Sequence, residues 1–190
     1  MRDVIVDAAR ELTIAHGWAG VRMGQVAAAA GVSRQTVYNE FTSKGGLAEA
    51  LTQREVDRFV AGVRTRLFAH GSDVRAGAYD AILHVLREAA ANPLIKAILT
   101  SARGGAGELL PFLTTRAELV LVTATAVLEE WAAAHLPDIS PADLAFGAES
   151  IVRLVVSHIV LPLAPVDLTA QRLADTVARF VGGVGGQPGG

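Results

Sequence analysis

Residues Met23 to Lys44 read MGQVAAAAGVSRQTVYNEFTSK: a short apolar helix, a glycine turn and a second, polar helix with no spare residues between them. That order is a helix-turn-helix. Val26, Ala27 and Ala30 give the first helix a buried stripe, Gly31 permits a left-handed turn, and Val32 and Val37 put apolar side chains beneath the second helix. Ala27 has to be small, because two steeply crossing helices bring their backbones close together. Ser33 opens the second helix, where its hydroxyl accepts a first-turn N–H in an N-cap worth about 1 kcal/mol. With Val37 and Phe41 turned inward, Arg34, Gln35, Thr36, Tyr38 and Asn39 form the outward face. Their chemistry is that of groove reading: Arg forks onto guanine, Gln and Asn pair with adenine, and Thr or Tyr reaches a phosphate or a thymine methyl. The implied partner is double-stranded DNA.

Working outward, residues from about Val4 to Leu51 resemble the amino-terminal domain of TetR-family transcriptional regulators. IVDAARELTIAHGWAGV resembles the family's opening helix, which ends in a Gly followed by an aromatic residue. AAAAGVSRQTVYNEFTSKGGLAEAL is similar to the family order of Ala-Gly-Val-Ser, an aromatic late in the recognition helix, Phe, Ser-Lys and a Leu on a long connecting helix. The resemblance implies that Lys44 contacts a phosphate and that the carboxy-terminal helices pair into a four-helix dimer interface. Individual features stand out against it. Arg22 replaces a Thr before the first motif helix and holds a phosphate by charge instead. Gln35, where the family often has Gly, adds a side chain that reads a base. Thr42 replaces a frequent Pro, and Gly45-Gly46 loosen the start of the connecting helix.

At 190 residues the chain can bury a sizeable core. It has no Cys, which excludes disulfides and thiol chemistry and suits a reducing cytoplasm. The opening MRDVIVDAARELT carries charge through its apolar periodicity and does not read as a signal peptide. Net charge is −2, and up to Gly46 five Lys/Arg stand against four Asp/Glu, so charge by itself does not point to DNA.

A helix from about Arg2 to His16 braces the head, with Val4, Ile5, Ala8, Ala9, Leu12 and Ala15 recurring at helical spacing and Trp18 packed beneath the motif. From about Gly46 to Leu67 a connecting helix turns Leu47, Leu51, Val56, Phe59, Val60, Val63 and Leu67 inward, and Glu49, Arg54, Glu55, Arg58 and Arg64 outward. Helices follow from Val74 to Ala91 and, after Asn92-Pro93, from Leu94 to Ala102. The Arg103-Gly104-Gly105-Ala106-Gly107 loop lacks the Lys-Ser or Lys-Thr and the preceding strand of a phosphate-binding loop. Leu109 to His135, Pro141 to Leu161 and Leu168 to Val181 complete the body, and the tail GGVGGQPGG is disordered by composition.

The expected fold is thus all-α: a three-helix helix-turn-helix head over 1–46, a larger helical ligand-binding and dimerisation body over 47–182, and a disordered tail over 183–190. LVLVTATAVL and IVRLVVSHIVL are apolar nearly all round, yet well short of the roughly 20 residues that cross a bilayer. Such helices in a chain of this size are covered by a second copy, making a homodimer whose two heads engage a roughly palindromic operator. The apolar body suits a hydrophobic small-molecule effector, with Phe112, Trp131 and Phe146 as apolar lining and Arg103, Glu149, Arg153 and His158 as polar contacts. No nucleophile elbow, His-Glu-x-x-His or Cys pair is present, and the five His are scattered, which leaves no catalytic residues, metal site or cofactor to assign. The expected function is a cytoplasmic, ligand-released transcriptional repressor; the alternative is a DNA-binding architectural protein without ligand control.

Overall fold

In the computed structural model, residues 1–92, 94–95 and 110–184 are described, the side chains of 110–121 and 184 excepted. Among them are eight helices and no strand. The order is α1 Arg2–Gly20, α2 Met23–Ala29, α3 Arg34–Phe41, α4 Lys44–Phe68, α5 Val74–Ala91, α6 Leu110–His135, α7 Pro141–Val160 and α8 Val166–Val184. The chain divides into two compact units, Met1–Asp57 with Asn92–Ala117 and Arg58–Ala91 with Glu118–Gly190. None of the described helices is long and apolar enough to cross a membrane.

The first unit is built on the motif. Val26, Ala27 and Val37 are buried with Ile5, Val6, Ala9, Trp18, Phe41, Leu47 and Leu51 in one core. Gly31 has φ +67°, a region that L side chains rarely adopt, so the turn requires glycine for its backbone and not for space. In α1 the inward face is set by Ile5, Val6, Ala9 and Thr13, not by Val4 and Ala15, which are exposed. Val4-Ile5-Val6 offers three equivalent apolar residues in a row, and the helical phase that buries the last two brings Thr13 inside. Its hydroxyl is satisfied by donating to the Ala9 carbonyl at 2.6 Å. Gly17, at φ 70° and ψ 155°, breaks α1 where the glycine signal placed the end, and turns Trp18 into the core.

The junction of α3 and α4 departs from the sequence reading. Thr42 adopts φ 60° and ψ −42°, and the Ser43 N–H bonds back to the Phe41 carbonyl. This is a γ-turn of the rare positive-φ kind, strained for a β-branched residue. Ser43 then caps α4, its Oγ accepting from the Gly46 N–H at 3.1 Å. Gly46 does not loosen the helix. The Phe41 carbonyl oxygen approaches its Cα so closely that a Cβ would collide with it.

Glu55 also differs from expectation. It is 2% exposed, not outward, and its carboxylate accepts from Arg10 Nε at 2.8 Å and from Asn92 Nδ2 at 3.1 Å. Burial pushes the Arg10 guanidinium down, but the charge and hydrogen bond of Glu55, helped by Glu11, reverse this and hold it above its ordinary value. Asn92 in turn accepts from the Leu94 N–H at 3.1 Å, so it both ends one helical stretch and starts the next. Of the expected Leu94 to Ala102 helix, Leu94 and Ile95 are helical; the remainder, with the glycine loop, lies outside the described residues.

In the second unit α5 lies along α8, and α7 touches both. Ala78, Ala81 and Ala89 on α5 and Ala170 and Ala174 on α8 are buried, small residues of the kind that let helices approach closely. Arg75 pairs with Asp175 at 2.7 Å and Arg87 with Asp167 at 2.7 Å, a register that makes the two helices antiparallel. Arg64 forks onto Glu130, whose carboxyl is held below its usual range by that hydrogen bond. α8 continues to Val184, two residues into the stretch expected to be disordered; 185–190 lie outside the described residues.

Candidate nucleic-acid interface

α3 is held from below and left open above. Val37 and Phe41 fix its inner side, and Ser33 caps its start, accepting the Thr36 N–H at 3.0 Å. The Ser33 and Thr36 hydroxyls also bond to each other at 2.8 Å, linking the two within the cap. At the far end Arg2 donates to the Glu40 carbonyl at 3.0 Å and lies 4.5 Å over the Phe41 ring. A cation here favours the helix C-terminus. Arg2 carries no local motif signal, since its partners lie 38 residues further on.

Arg34, Gln35, Tyr38 and Asn39 are exposed, and Thr36 is half-buried. Gln35 Nε2 donates to Asn39 Oδ1 at 2.8 Å. Arg34 folds back along α2; a methyl at Gly24 would lie 3.6 Å from its Nε. Tyr38 leaves 40% of its surface open, placing a phenol on the same side. Arg22 is exposed ahead of α2 and makes no side-chain cap; instead its own N–H donates to Gln25 Oε1 at 3.0 Å. Gln25 thereby provides the return half of a capping box, and leaves the Arg22 guanidinium to solvent. Lys44 sits 5.3 Å over the Trp18 ring, with Nζ donating to the Ala19 carbonyl at 3.5 Å. The motif residues are therefore gathered on one small unit whose interior is complete without them. Cationic groups stand at both ends of α3, and amide and hydroxyl groups along it. Such a surface can engage phosphates at its margins and base edges at its centre.

The residues expected to meet a ligand are not gathered in this way. Trp131 is buried, its Nε1 without a hydrogen-bond partner among the described residues, stacked on His135 with centroids 5.1 Å apart. Phe146 is 67% exposed on α7, and Glu149 and Arg153 pair with each other on the exposed part of that helix at 2.6 Å. His158 is half-buried. Arg103 and the Phe112 side chain lie outside the described residues. His84 is an interior group. Its ring stacks on Phe59, its Nε2 fills the space left by Gly62 and has no hydrogen-bond partner among the described residues, and burial, aided by Arg66, pushes its pKa down. Among the described residues no three acidic, His or Cys side chains are grouped to hold a metal ion.

Known proteins resemble this arrangement along the whole chain. A family model described as bacterial regulatory proteins, tetR family, matches residues 5–51, and one described as bacterial tetracyclin repressor, C-terminal domain, matches residues 73–179. The chain is 34% identical over 189 residues to the HTH-type transcriptional regulator AlkX of Mycobacterium tuberculosis, covering 95% of this chain and 84% of that protein. A shorter likeness, 34% over 79 residues, links 42% of this chain to 38% of the HTH-type transcriptional repressor ComR of Escherichia coli. Among solved structures, the TetR-family repressor AlkX of Dietzia sp., implicated in biodegradation of n-alkanes, is 30% identical with a TM-score of 0.71, covering 95% of this chain and 97% of that one.

Proposed function

The chain belongs to the TetR family of transcriptional regulators, and from that premise we propose that it is a cytoplasmic repressor. It binds a palindromic operator as a homodimer and is released by a hydrophobic small molecule. The observation that carries the reading is the polar, exposed face of α3 on a head whose core is already complete. On that face Gln35, Asn39 and Arg34 read base edges. Arg22, Tyr38, Thr36 and Lys44 hold the backbone, and Ser33 fixes the start of the helix.

Dimerisation is supported by the apolar side chains left open on and beside α7 and α8. Phe146 is 67% exposed, Leu161 61%, Leu163 81% and Leu154 43%, large apolar side chains that a second copy would cover. A net charge of +1 on the head also favours pairing, since one such head makes few phosphate contacts. An aliphatic effector is supported by the apolar composition of the body and by the Dietzia relative being implicated in biodegradation of n-alkanes.

The experiment is selection of bound DNA from a random double-stranded pool, followed by challenge of the selected complex with aliphatic molecules of graded length. An inverted repeat with half-sites about one or more helical turns apart is expected, with release by one class of aliphatic compound. Selection of a single asymmetric site would refute the dimeric reading. Failure of every such compound to release the DNA would refute ligand control as stated here.

A further inference from the structure

The hydrogen bond between Gln35 and Asn39 changes what each side chain can do on DNA. A primary amide carries two N–H bonds and one oxygen. Gln35 Nε2 uses one N–H on Asn39 Oδ1, at 2.8 Å across one helical turn. What remains on Gln35 is Oε1 and one N–H; with the N–H anti to Oε1 given to Asn39, the two lie on one edge as an acceptor beside a donor. Adenine presents the complement in the major groove, its N6 amino group as donor and N7 as acceptor.

The terminal torsion of a glutamine is soft and nearly two-fold, so an unheld amide presents either its oxygen or its nitrogen at a given place. Asn39 removes that freedom by accepting from one defined N–H. The other polar groups nearby are engaged elsewhere: the Ser33 and Thr36 hydroxyls bond to each other, and Arg34 folds over Gly24. Among the described residues no other hydrogen bond holds the Gln35 amide, and the contact exists only because Gln35 occupies a position where a smaller residue would have none to make.

We infer that Asn39 is a positioning residue for Gln35, and that the hydrogen-bonded pair reads one adenine as a single unit instead of two bases separately. This rests on α3 being the recognition helix. The alternative, in which both amides contact bases independently, breaks the 2.8 Å bond and frees two amides to rotate.

The test uses the full chain and repeats the random-pool selection with Q35A, N39A, N39D and the double variant Q35A/N39A, with thermal melts to establish that each is folded. Wild type should prefer adenine at one pair of each half-site by on the order of 10- to 100-fold, the range of a good bidentate contact. Q35A and N39A should both lose that preference at the same base pair, and the double variant should lose no more. N39D keeps the acceptor for Gln35 Nε2 and should keep the preference, although its negative charge weakens binding to all sequences. Loss of preference at a different pair in N39A, retention of the adenine preference in N39A, or failure of N39D to rescue it would each overturn the inference while leaving Gln35 as a base reader. If Q35A changes no preference at any position, base reading by Gln35 itself fails, and the positioning role falls with it.

Discussion

Replacing Glu55 with Ala tests the buried polar junction of the first unit. The substitution removes the acceptor of two side-chain hydrogen bonds, from Arg10 Nε at 2.8 Å and from Asn92 Nδ2 at 3.1 Å. Asn92 is 8% exposed, so its N–H is stranded without water, and an orphaned buried donor costs about 1–3 kcal/mol. Arg10 is less affected. Its side chain is 23% exposed and keeps Glu11 at 3.1 Å, so the loss lies below the roughly 3–5 kcal/mol seen when a fully buried pair is broken. Together these give about 2–4 kcal/mol. For a chain of this size about 1 kcal/mol moves Tm by roughly 2–4 °C, so a fall of about 5–15 °C is expected. Glu55→Gln keeps an acceptor but not the charge, and should fall between wild type and Glu55→Ala. Thermal melts followed by circular dichroism and calorimetry measure all three. Melting of Glu55→Ala within about 1 °C of wild type would refute the account, since no buried donor with this cost would then have been stranded.

Three further outcomes follow from particular contacts. Gly46→Ala should destabilise the head, by about 1–3 kcal/mol for a clash with backbone, offset in part by about 1 kcal/mol of helix propensity. Gly183→Ala, with open space around it in α8, should instead stabilise by about that same propensity term; denaturant titration of both gives the opposite signs or refutes the packing argument. His84 has its folded pKa lowered below 6.5, so the unfolded chain binds more protons just below that pH. Stability is therefore full above about pH 6.5 and falls as the solution is acidified towards the folded pKa, and His84→Leu should flatten that part of the melting profile. Lys44→Ala should weaken operator binding uniformly and lower the slope of log K against log salt by about one, read by fluorescence anisotropy across salt concentrations.

The helix-turn-helix was legible because its determinants are local. Gly31, Ser33, Ala27 and Val37 act within a few residues of each other, and the structure gives each the conformation or burial that its chemistry requires. Glu55 was not legible. Helical periodicity assigns a carboxylate outward, while the groups that satisfy it inside, Arg10 and Asn92, lie 45 and 37 residues away in the chain. Gly46 was misread for a similar reason, because the atom that excludes a side chain there is the Phe41 carbonyl, placed by a strained turn at Thr42 that no composition rule anticipates. In the body, helices such as α7 are apolar on most sides, so periodicity could not separate Phe146, which is exposed, from Ala148, Val155 and Ile159, which are buried.

The chain contains two tryptophans, and the structure puts one in each unit: Trp18 under the head, beneath the Lys44 ammonium, and Trp131 in the body, its indole N–H unpartnered among the described residues. The molecule thus carries a pair of built-in optical probes. Trp131→Phe leaves an emission that reports only on the head, and withdrawal of Lys44 from the indole by a phosphate alters the charge over that ring. Trp18→Phe leaves one that reports only on the body, where a molecule accepting from the free N–H changes the spectrum directly. With no cysteine to mask, two point variants suffice to follow each unit by its own emission.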